Sequence, residues 1–385
     1  MVSFDPGGAL NETIEAITDA IPKTTKIIRL STAENSNNEN IIRLKIPPGK
    51  LIHENARTRS YKGSWESPWT RDYIPEIVKL QDGTIRSVMF QYGYPNSAEV
   101  GKYFATQFSG IADVKEVPYF VEGGNLVVDE DGNLFISERA IINNIWMGKA
   151  KVAPELISYF AEVTTSLPWA MKREPPEVAT LKANMTKVLK EALDAKTLTW
   201  LPALNFEKGF QKDSTGHLDI YMKYLGEKRM LVGEIKILEG VSTQIKKQLS
   251  AQKKQLDEVA ALLEKRGYAV TRLPFSVELP QGFLKLFSYT NSLIIGKIAL
   301  VPSYGNRPND LFGSSQQLEP SDSKIHKAIL ASDLAAGQIY KELGFKVKKI
   351  YAYPAWSYGG QIHCLTKQIP QLAGLKLKQD NSQKK

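Results

Sequence analysis

The chain carries a single cysteine, Cys364, close to its C-terminus. Three segments with acid–base side chains lie far upstream of it: Arg71-Asp72, Glu122-Gly123-Gly124-Asn125 and His217-Leu218-Asp219. A cysteine attacks as its thiolate, so its reactivity depends on the charged and acid–base groups around it. One thiol, one histidine and several carboxylates are the groups that a cysteine nucleophile needs to act on a cationic carbon.

The composition of the 385 residues favours a globular protein with a full hydrophobic core. Hydrophobic residues make up 42% of the chain, and no window approaches the apolar length of a membrane span. The net charge of +9 comes from scattered lysines rather than a basic stripe, so neither nucleic acid nor a membrane is an expected partner. A single cysteine cannot form an internal disulfide, and no leader pattern is present. We therefore expect a cytoplasmic protein; export with the leader already removed is the alternative.

A repeated pattern of elements must position these residues. Four short strands each follow a tight turn or polar break: Ile85–Tyr92, Leu134–Glu138, Met230–Ile235 and Ile298–Pro302. Helical periodicity predicts two amphipathic helices, Ser242–Lys265 and Ser323–Leu343, each followed by a glycine. Recurring strand–turn–strand–helix units indicate a repeat architecture that is built radially.

One stretch, residues 147–196, interrupts this rhythm. It holds two helix candidates, Pro154–Val163 and Val178–Ala195, separated by the breaker Glu174-Pro175-Pro176. We interpret it as an insertion or cap over a single catalytic domain that spans residues 1–375. The composition of residues 376–385 predicts a disordered tail.

Five segments occur in order within residues 60–370. They are Trp69-Thr70-Arg71-Asp72-Tyr73, Glu122-Gly123-Gly124-Asn125, Thr215-Gly216-His217-Leu218-Asp219, Val301-Pro302-Ser303-Tyr304-Gly305 and Gly359-Gly360-Gln361-Ile362-His363-Cys364-Leu365-Thr366. This set resembles the agmatine deiminase and Porphyromonas-type peptidylarginine deiminase family of the guanidino-modifying superfamily. The resemblance implies an α/β fold, namely a five-bladed, pseudo-fivefold α/β propeller (pentein-type) with the active site on its central axis.

The resemblance also implies roles for three side chains. Cys364 would be the nucleophile; a buried structural cysteine is the alternative. His217 and Asp219 are two residues apart, so on an extended strand both would project from one face. There His217 would protonate the departing amine and then deprotonate water, beside a carboxylate that holds the guanidinium. The alternatives are a buried histidine with a surface aspartate, or a metal site, for which further His or Cys ligands are missing at useful spacing.

Further site residues follow from the same resemblance. Asp72 would pair with two guanidinium N–H groups, although a surface Arg71-Asp72 pair is the alternative, and Arg71 itself is expected at the surface or in a structural role. Glu122 would orient His217 and keep its imidazolium available. Trp69, Gly124 and Asn125 would contact substrate together with Asp72 and Asp219, whereas a plain hairpin turn is the alternative for the two glycines.

His363 is a separate case. It adjoins Cys364, and neighbouring side chains on an extended segment point to opposite faces. It is therefore not expected to act as the base for Cys364, and we interpret it as structural.

The chemistry implied is guanidine deimination. Attack of the Cys364 thiolate on the guanidinium carbon would release ammonia and leave a covalent thiouronium, which water then hydrolyses to a ureido product. Neither a metal nor an organic cofactor is required, because the thiol supplies the nucleophile and the substrate carries its own positive charge. The substrate would be a small cationic guanidine such as agmatine, or an arginine-containing peptide; the oligomeric state is not determined by the sequence.

Two departures from the family pattern bear on the substrate. Gln361 replaces a glycine that often precedes the Ile-His-Cys segment in agmatine deiminases. No arginine occurs between Arg86 and Arg139, a stretch where a substrate carboxylate would otherwise be held. Agmatine and peptidyl-arginine both stay open, and free arginine is least favoured.

Three rival functions share parts of this pattern. An amidinotransferase would pass the same intermediate to an amine instead of water. A non-catalytic propeller that binds a protein or nucleic acid would not need Cys364, His217 and three carboxylates together. A His–Cys peptidase acts on a neutral amide, for which so many carboxylates are an odd environment.

Overall fold

The structure is a computed structural model that describes most of the chain. The described residues are 2–4, 9–31, 41–45, 69–92, 95–149, 175–204, 216–236, 243–278, 285–305, 323–357 and 359–378. No helix among them is long and apolar enough to cross a membrane.

The first sheet is entirely parallel. Its strands lie in the order β1 (Val2–Phe4), β2 (Ile27–Ser31) and β3 (Ile41–Lys45), and helix α1 (Ala9–Ala20) connects the first two. Ile14 and Ile17 of α1 are buried at successive turns, which is the amphipathic spacing of a helix on a core.

A different unit then occurs four times along the chain. Two antiparallel strands form a hairpin, one or more helices cross over, and a third strand returns parallel to the second. A crossover of this kind is what a parallel pair requires. This confirms the predicted strand–turn–strand–helix repeat and the α/β class.

The first two of these units contain the following elements. One comprises α2 (Thr70–Tyr73), β4 (Glu76–Lys79), β5 (Ile85–Gln91), α3 (Pro95–Thr106), β6 (Phe108–Ser109) and β7 (Ile111–Phe120). The next comprises β8 (Leu126–Val128), β9 (Asn133–Ser137), α4 (Arg139–Trp146), α5 (Pro176–Leu193) and β10 (Thr197–Leu201).

The last two units are built in the same way. The third has β11 (Met222–Gly226), β12 (Arg229–Ile235), α6 (Thr243–Lys265), β13 (Ala269–Glu278) and an added antiparallel strand, β14 (Lys285–Phe287). The fourth has β15 (Leu293–Ile295), β16 (Ile298–Ser303), α7 (Ser323–Glu342) and β17 (Lys346–Tyr351). The short helix α8 (Tyr353–Ser357) and strand β18 (Lys376–Leu377) follow.

The predicted insertion at 147–196 is wrong for residues 176–193. They form α5, which lies in the crossover between the parallel strands β9 and β10 and is therefore part of the repeat. Val178, Met185 and Leu189 of α5 are buried in the same cluster as Ile136 of β9. The predicted helix Pro154–Val163 lies outside the described residues.

The predicted start of the disordered tail, at residue 376, is too early. Lys376 and Leu377 pair antiparallel with Ser109 and Phe108 of β6. Strand pairing with a distant segment therefore orders the chain at this point, even though its local composition is polar. Residues 379–385 lie outside the described part.

The four repeated units place comparable segments side by side. The residues just before the first strand of each unit are α2, a tight turn at Gly123–Asn125, a tight turn at Leu218–Ile220, and the buried segment 288–292. Three of these segments were singled out in the sequence as carriers of acid–base groups. The repeat thus explains how residues far apart in sequence reach one region.

Candidate active site

Gly124 is the point where three of these segments meet. A Cβ atom added at Gly124 would overlap the ring of His217 and lie 3.2 Å from Asp219 Oδ1. The backbone N–H of Gly124 also donates to Asp72 Oδ1 at 3.4 Å. Glycine is therefore required because the carboxylates and the imidazole approach the backbone here, not because of an unusual φ.

His217 is buried between two carboxylates. Its Nε2 lies 2.8 Å from Glu122 Oε2, and its Nδ1 lies 3.9 Å from Asp72 Oδ1. Burial lowers the pKa of His217, but Asp72, Glu122 and Asp219 outweigh it and raise that pKa to about 10. At neutral pH the ring is an imidazolium that can donate a proton.

In this arrangement the pKa values of Glu122 and Asp72 shift in opposite directions. Burial raises the pKa of Glu122, but the hydrogen bond and charge of His217 overcome it, so the net shift is downward. Burial is also the main reason why the pKa of Asp72 is raised. Asn143 of α4 donates to the same Glu122 oxygen at 3.5 Å, so Glu122 is held from two sides.

The predicted extended strand through His217 and Asp219 is wrong. His217 has extended backbone, but Leu218–Ile220 forms a tight helical turn, and β11 begins only at Met222. Both side chains nevertheless adjoin Gly124. The strand periodicity did not apply, because the turn itself carries Asp219 into the site.

Cys364 is buried, with 3% of its surface exposed. Asn291 Nδ2 donates to its sulfur at 3.4 Å. Burial, followed by Asp219 and Asp72, raises the pKa of the Cys364 thiol well above its ordinary value, while the Asn291 hydrogen bond lowers it. The thiol therefore needs additional positive charge nearby before it ionises at neutral pH.

Asn291 was missed in the sequence. Its Oδ1 accepts the backbone N–H of His363 at 3.0 Å, which fixes the amide so that Nδ2 faces the sulfur. The feature that could have identified it is a run of polar residues, namely Ser288, Thr290, Asn291 and Ser292. In the structure all four are completely or almost completely buried. Such a buried polar run requires partners and marks a candidate site.

His363 contacts the site through Asp219. Its Nδ1 lies 2.7 Å from Asp219 Oδ2. Burial, followed by the positive charges of Arg71 and Lys223, lowers the pKa of His363, so the neutral ring donates its Nδ1–H to the carboxylate. His363 is thus a hydrogen-bond partner of Asp219. The sequence predicted only a structural role for His363 and did not indicate this contact.

Arg71 is not part of a surface pair. It is buried, and its backbone N–H donates to the Cys364 carbonyl at 3.2 Å. Its Nε donates to the His363 carbonyl at 3.5 Å. Thr70 Oγ1 adds a bond to the Leu365 carbonyl at 3.0 Å, so α2 holds the segment that carries Cys364.

The remaining candidates occupy the same region. Trp69 packs its ring against Gly360, where a Cβ would overlap the indole. Asn125 is fully buried, and neither atom of its amide group has a hydrogen-bond partner among the described residues. A buried amide without partners is costly unless a ligand or water satisfies it.

The cluster can bind a planar cation beside a buried thiol and exchange protons with it. Asp72 and Asp219 supply negative charge, and His217 supplies a proton. Within the described residues, no group of three or more His, Cys, Asp and Glu is arranged to hold a metal ion. The catalytic roles of these residues stay predictions.

Comparison with known proteins gives consistent results. The model of the Porphyromonas-type peptidyl-arginine deiminase family matches residues 163–370, more than half of the chain. A putative agmatine deiminase of Mycoplasma capricolum is 22% identical, over 92% of this chain and 85% of that protein. 

Solved structures of similar proteins share the fold. A putative arginine deiminase from Porphyromonas gingivalis has a TM-score of 0.61 at 16% identity, covering 97% of this chain and 95% of its own. The agmatine deiminase of Enterococcus faecalis has a TM-score of 0.59 at 16% identity, covering 96% and 92% respectively.

Proposed function

We infer that this chain, which belongs to the Porphyromonas-type peptidyl-arginine deiminase family, is a guanidine deiminase. It replaces one guanidinium nitrogen by oxygen and releases ammonia. The observation that carries this inference is the convergence of His217, Asp72 and Asp219 at Gly124. An acidic pocket of this kind suits a planar cation, whereas a peptidase acting on a neutral amide would gain nothing from it.

The reaction proceeds in two halves. The Cys364 thiolate attacks the guanidinium carbon and forms a C–S bond, giving a tetrahedral adduct that Asp72 and Asp219 hold. His217 transfers its proton to the departing amine, the C–N bond breaks, and a thiouronium remains. Water then gives a proton to the now neutral His217 and adds to the same carbon. As the C–S bond breaks, the proton of the added hydroxyl passes to solvent, the thiolate is returned, and the ureido product is released.

The surroundings of three side chains suit the roles that they have in this reaction. The raised pKa of His217, at about 10, keeps the proton on the ring at neutral pH until the amine departs. Glu122 supports that charge at 2.8 Å. Asn291 donates to the sulfur and lowers the pKa of the thiol. No step needs a metal or an organic cofactor, since the substrate brings its own charge.

We propose that the sheets are arranged as a five-bladed propeller. Four units share one topology, and the parallel sheet β1–β3 supplies a fifth. The comparable position of the four site segments, each before the first strand of its unit, supports an active site on the central axis. The single catalytic domain then extends beyond the predicted residues 1–375, because Lys376 and Leu377 pair with β6.

Agmatine is the substrate that we favour. The relative from Mycoplasma capricolum is described as a putative agmatine deiminase. No arginine lies between Arg86 and Arg139, where a substrate carboxylate would be held, and agmatine has no carboxylate. The family model favours a second candidate, arginine within a peptide, whose carboxylate is already blocked by the amide bond.

One assay tests this function. The purified chain is incubated separately with agmatine, free arginine and a short peptide with an internal arginine, and both ureido product and ammonia are measured. We expect equal amounts of the two products, most with agmatine and least with free arginine. Product that carries the amidino group on an added amine, without ammonia, would identify an amidinotransferase. Absence of turnover on every guanidine would favour the non-catalytic binding module.

A further inference from the structure

Tyr304, in the fourth of the five motif segments, has no part in the reaction as written above. Its hydroxyl lies 2.7 Å from the Ser288 carbonyl and 2.6 Å from Gln361 Oε1. Ser288 is the first residue of the amide segment, as we call the buried residues 288–292, which contact the sulfur. Gln361 belongs to the nucleophile segment, residues 359–366. Tyr304 therefore lies between the two segments that meet at the sulfur.

The backbone of Tyr304 is bound by a buried carboxylate, Asp333 of α7, which is 2% exposed. Asp333 Oδ2 accepts the backbone N–H groups of Tyr304 at 3.1 Å and of Gly305 at 2.9 Å. Its Oδ1 accepts the hydroxyl of Tyr289, a residue of the amide segment, at 2.8 Å. These three donors suit an ionised carboxylate, because that form only accepts hydrogen bonds. They also compensate the cost of burying the charge.

Helix α7 holds the amide segment at further points. Tyr340 lies about two helical turns after Asp333, on the same face of α7. Its hydroxyl donates to the Tyr289 carbonyl at 3.0 Å and lies 2.7 Å from Ser292 Oγ. The amide segment is therefore fixed on each side of Asn291, at Tyr289 and at Ser292.

The amide segment in turn contacts two parts of the site. Thr290 Oγ1 donates to the carbonyl of Ile220 at 2.6 Å, and Ile220 belongs to the turn that carries Asp219. Asn291 Nδ2 donates to the Cys364 sulfur at 3.4 Å. A hydrogen bond weakens steeply as its angle departs from linear, so a small displacement of the amide segment would weaken the contact with the sulfur.

We propose that Asp333 is a positioning residue that holds the Asn291 amide against the Cys364 sulfur. It acts through Tyr289, whose hydroxyl it binds, and through Tyr304, whose backbone it binds. The fourth motif segment then serves to position the nucleophile rather than to contact substrate. The inference rests on the proposed nucleophilic role of Cys364, but its first test requires no substrate.

The first experiment observes the only cysteine of the chain by NMR in the absence of substrate. Cysteine labelled with ¹³C at Cβ gives one signal, whose chemical shift reports the surroundings of the sulfur. Asn291→Ala removes the amide and gives the reference shift. Asp333→Asn keeps the shape of the side chain but offers one acceptor oxygen to three donors, so at least one of them is left unpaired. We therefore expect the signal of Asp333→Asn to move toward the reference.

A double variant tests whether Asp333 acts through Asn291. Asp333→Asn alone should lower kcat with agmatine about tenfold, the contribution of one hydrogen bond, and change KM by less than about threefold. Added to Asn291→Ala, it should leave the signal in place and change kcat by less than about twofold, because the effects of coupled residues do not add. A residue that only stabilises the fold would give additive effects. Additive effects, or an unchanged kcat in a chain that converts agmatine, overturn the proposal.

Tyr289→Phe is the gentler variant. It removes only the hydroxyl that links Asp333 to the amide segment and leaves the other two donors in place. Its signal should move in the same direction, and it decides the test if circular dichroism shows that Asp333→Asn is unfolded. An unmoved signal in a folded Asp333→Asn or Tyr289→Phe protein overturns the proposal. So does an unmoved signal in Asn291→Ala, since the amide would then not contact the sulfur.

Asp129→Asn is the matched control. Asp129 is likewise a buried carboxylate, and it accepts the Tyr268 hydroxyl at 2.5 Å and the backbone N–H of Asn133 at 2.8 Å. It lies in the turn between β8 and β9, and none of these partners belongs to the amide or nucleophile segment. The variant should lose stability without a change in the cysteine signal or in kcat. A shift as large as that of Asp333→Asn would contradict the proposal.

The outcome is independent of the deiminase assay. If no guanidine is converted while the signal moves as expected, the proposed function fails and the positioning of the amide stands. If agmatine is converted while the signal and kcat of folded Asp333→Asn stay unchanged, the positioning role fails and the function stands.

Discussion

His217 Nε2 lies 2.8 Å from Glu122 Oε2, while its Nδ1 faces Asp72 Oδ1 at 3.9 Å. The imidazole thus has a carboxylate at each nitrogen, and both favour its charged form. A histidine in this setting is a proton donor at neutral pH, in contrast to one that is buried and neutral.

Glu122→Gln should move the alkaline limb of the activity profile to lower pH. The substitution removes a negative partner, so the pKa of His217 falls from its value of about 10, and the proton needed by the leaving amine is lost earlier as pH rises. We expect kcat to fall roughly 100-fold, within the usual contribution of a positioned acid–base group. The profile of kcat between pH 6 and 10 is the measurement.

The same substitution changes stability with a defined sign. A histidine with a raised folded pKa adds stability below its unfolded pKa, near 6.5, and that stability is lost as pH rises towards about 10. Glu122→Gln should therefore destabilise the protein more at pH 6 than at pH 10. Glu116→Gln, at an exposed position of β7, serves as the control and should alter neither profile. An unshifted alkaline limb would argue against His217 as the acid.

Cys364→Ala should abolish turnover and spare binding. The side chain that forms the bond to carbon is lost, while Asp72, Asp219 and His217 keep their positions. We expect kcat to fall by at least about 10⁴-fold, as for other covalent nucleophiles. Calorimetric titration with agmatine should give a Kd within about threefold of the unmodified chain. Residual turnover above about 1% of that of the unmodified chain would contradict the covalent mechanism.

The fold was predictable where its local signals were strong. The face of α6 with Leu249, Leu256 and Leu263 is buried as its periodicity indicates. The hairpin turns before β5, β9, β12 and β16 were also recognised, because each is a short local feature. The parallel pairing of β9 with β10 was not, since the two strands are separated by α4, α5 and residues 147–175. Local patterns cannot show which distant strand completes a sheet.

The site was predictable in its residue types more than in its contacts. Gly124 was expected to contact substrate, and the structure shows that the His217 ring and Asp219 pack against it. Asn291 carried no motif, because its amide acquires a role here only through its burial next to Cys364. The turn at Leu218–Ile220 replaced the expected strand, since three residues are too few for periodicity to decide.

Gly124→Ala should inactivate the enzyme without unfolding it. The added methyl would overlap the His217 ring and lie 3.2 Å from Asp219 Oδ1, so both side chains must shift. We expect kcat/KM to fall at least about 100-fold and stability to fall by roughly 1–3 kcal/mol, as for overpacking. Kinetics with agmatine and urea unfolding are the measurements.

Gly337→Ala is the matched control for this substitution. Gly337 lies within α7, and a Cβ there would meet the flexible end of Lys349 at 3.3 Å and Val347 Cγ1 at 3.9 Å, which is an ordinary contact distance. Activity should be unchanged, and the gain in helix propensity should offset the contact. Full activity in Gly124→Ala would mean that the three segments do not form the site.

Gln361→Gly, which restores the residue common in agmatine deiminases, should weaken the nucleophile segment. The hydroxyl of Tyr304 lies 2.6 Å from Gln361 Oε1 and 2.7 Å from the Ser288 carbonyl, and its single hydrogen serves one of them at a time. When Gln361 is lost, the Tyr304 hydroxyl can still donate to the Ser288 carbonyl. The substitution nevertheless leaves a buried cavity, and glycine increases the conformational freedom of the backbone. We expect a loss of roughly 2–3 kcal/mol in unfolding free energy.

Gln361→Met separates these contributions. Methionine keeps the volume and the backbone restraint but offers no good acceptor, so only about 1 kcal/mol should be lost. Leu365 N–H donates to the Gln361 carbonyl at 3.2 Å, so the glycine variant should also lower kcat several-fold by loosening the backbone next to Cys364, whereas the methionine variant should not. Urea unfolding and kcat with agmatine, measured on both variants, decide between the two. Equal stability of all three proteins would show that Gln361 and Tyr304 do not support the segment, and the departure from glycine would then have no role in holding Cys364.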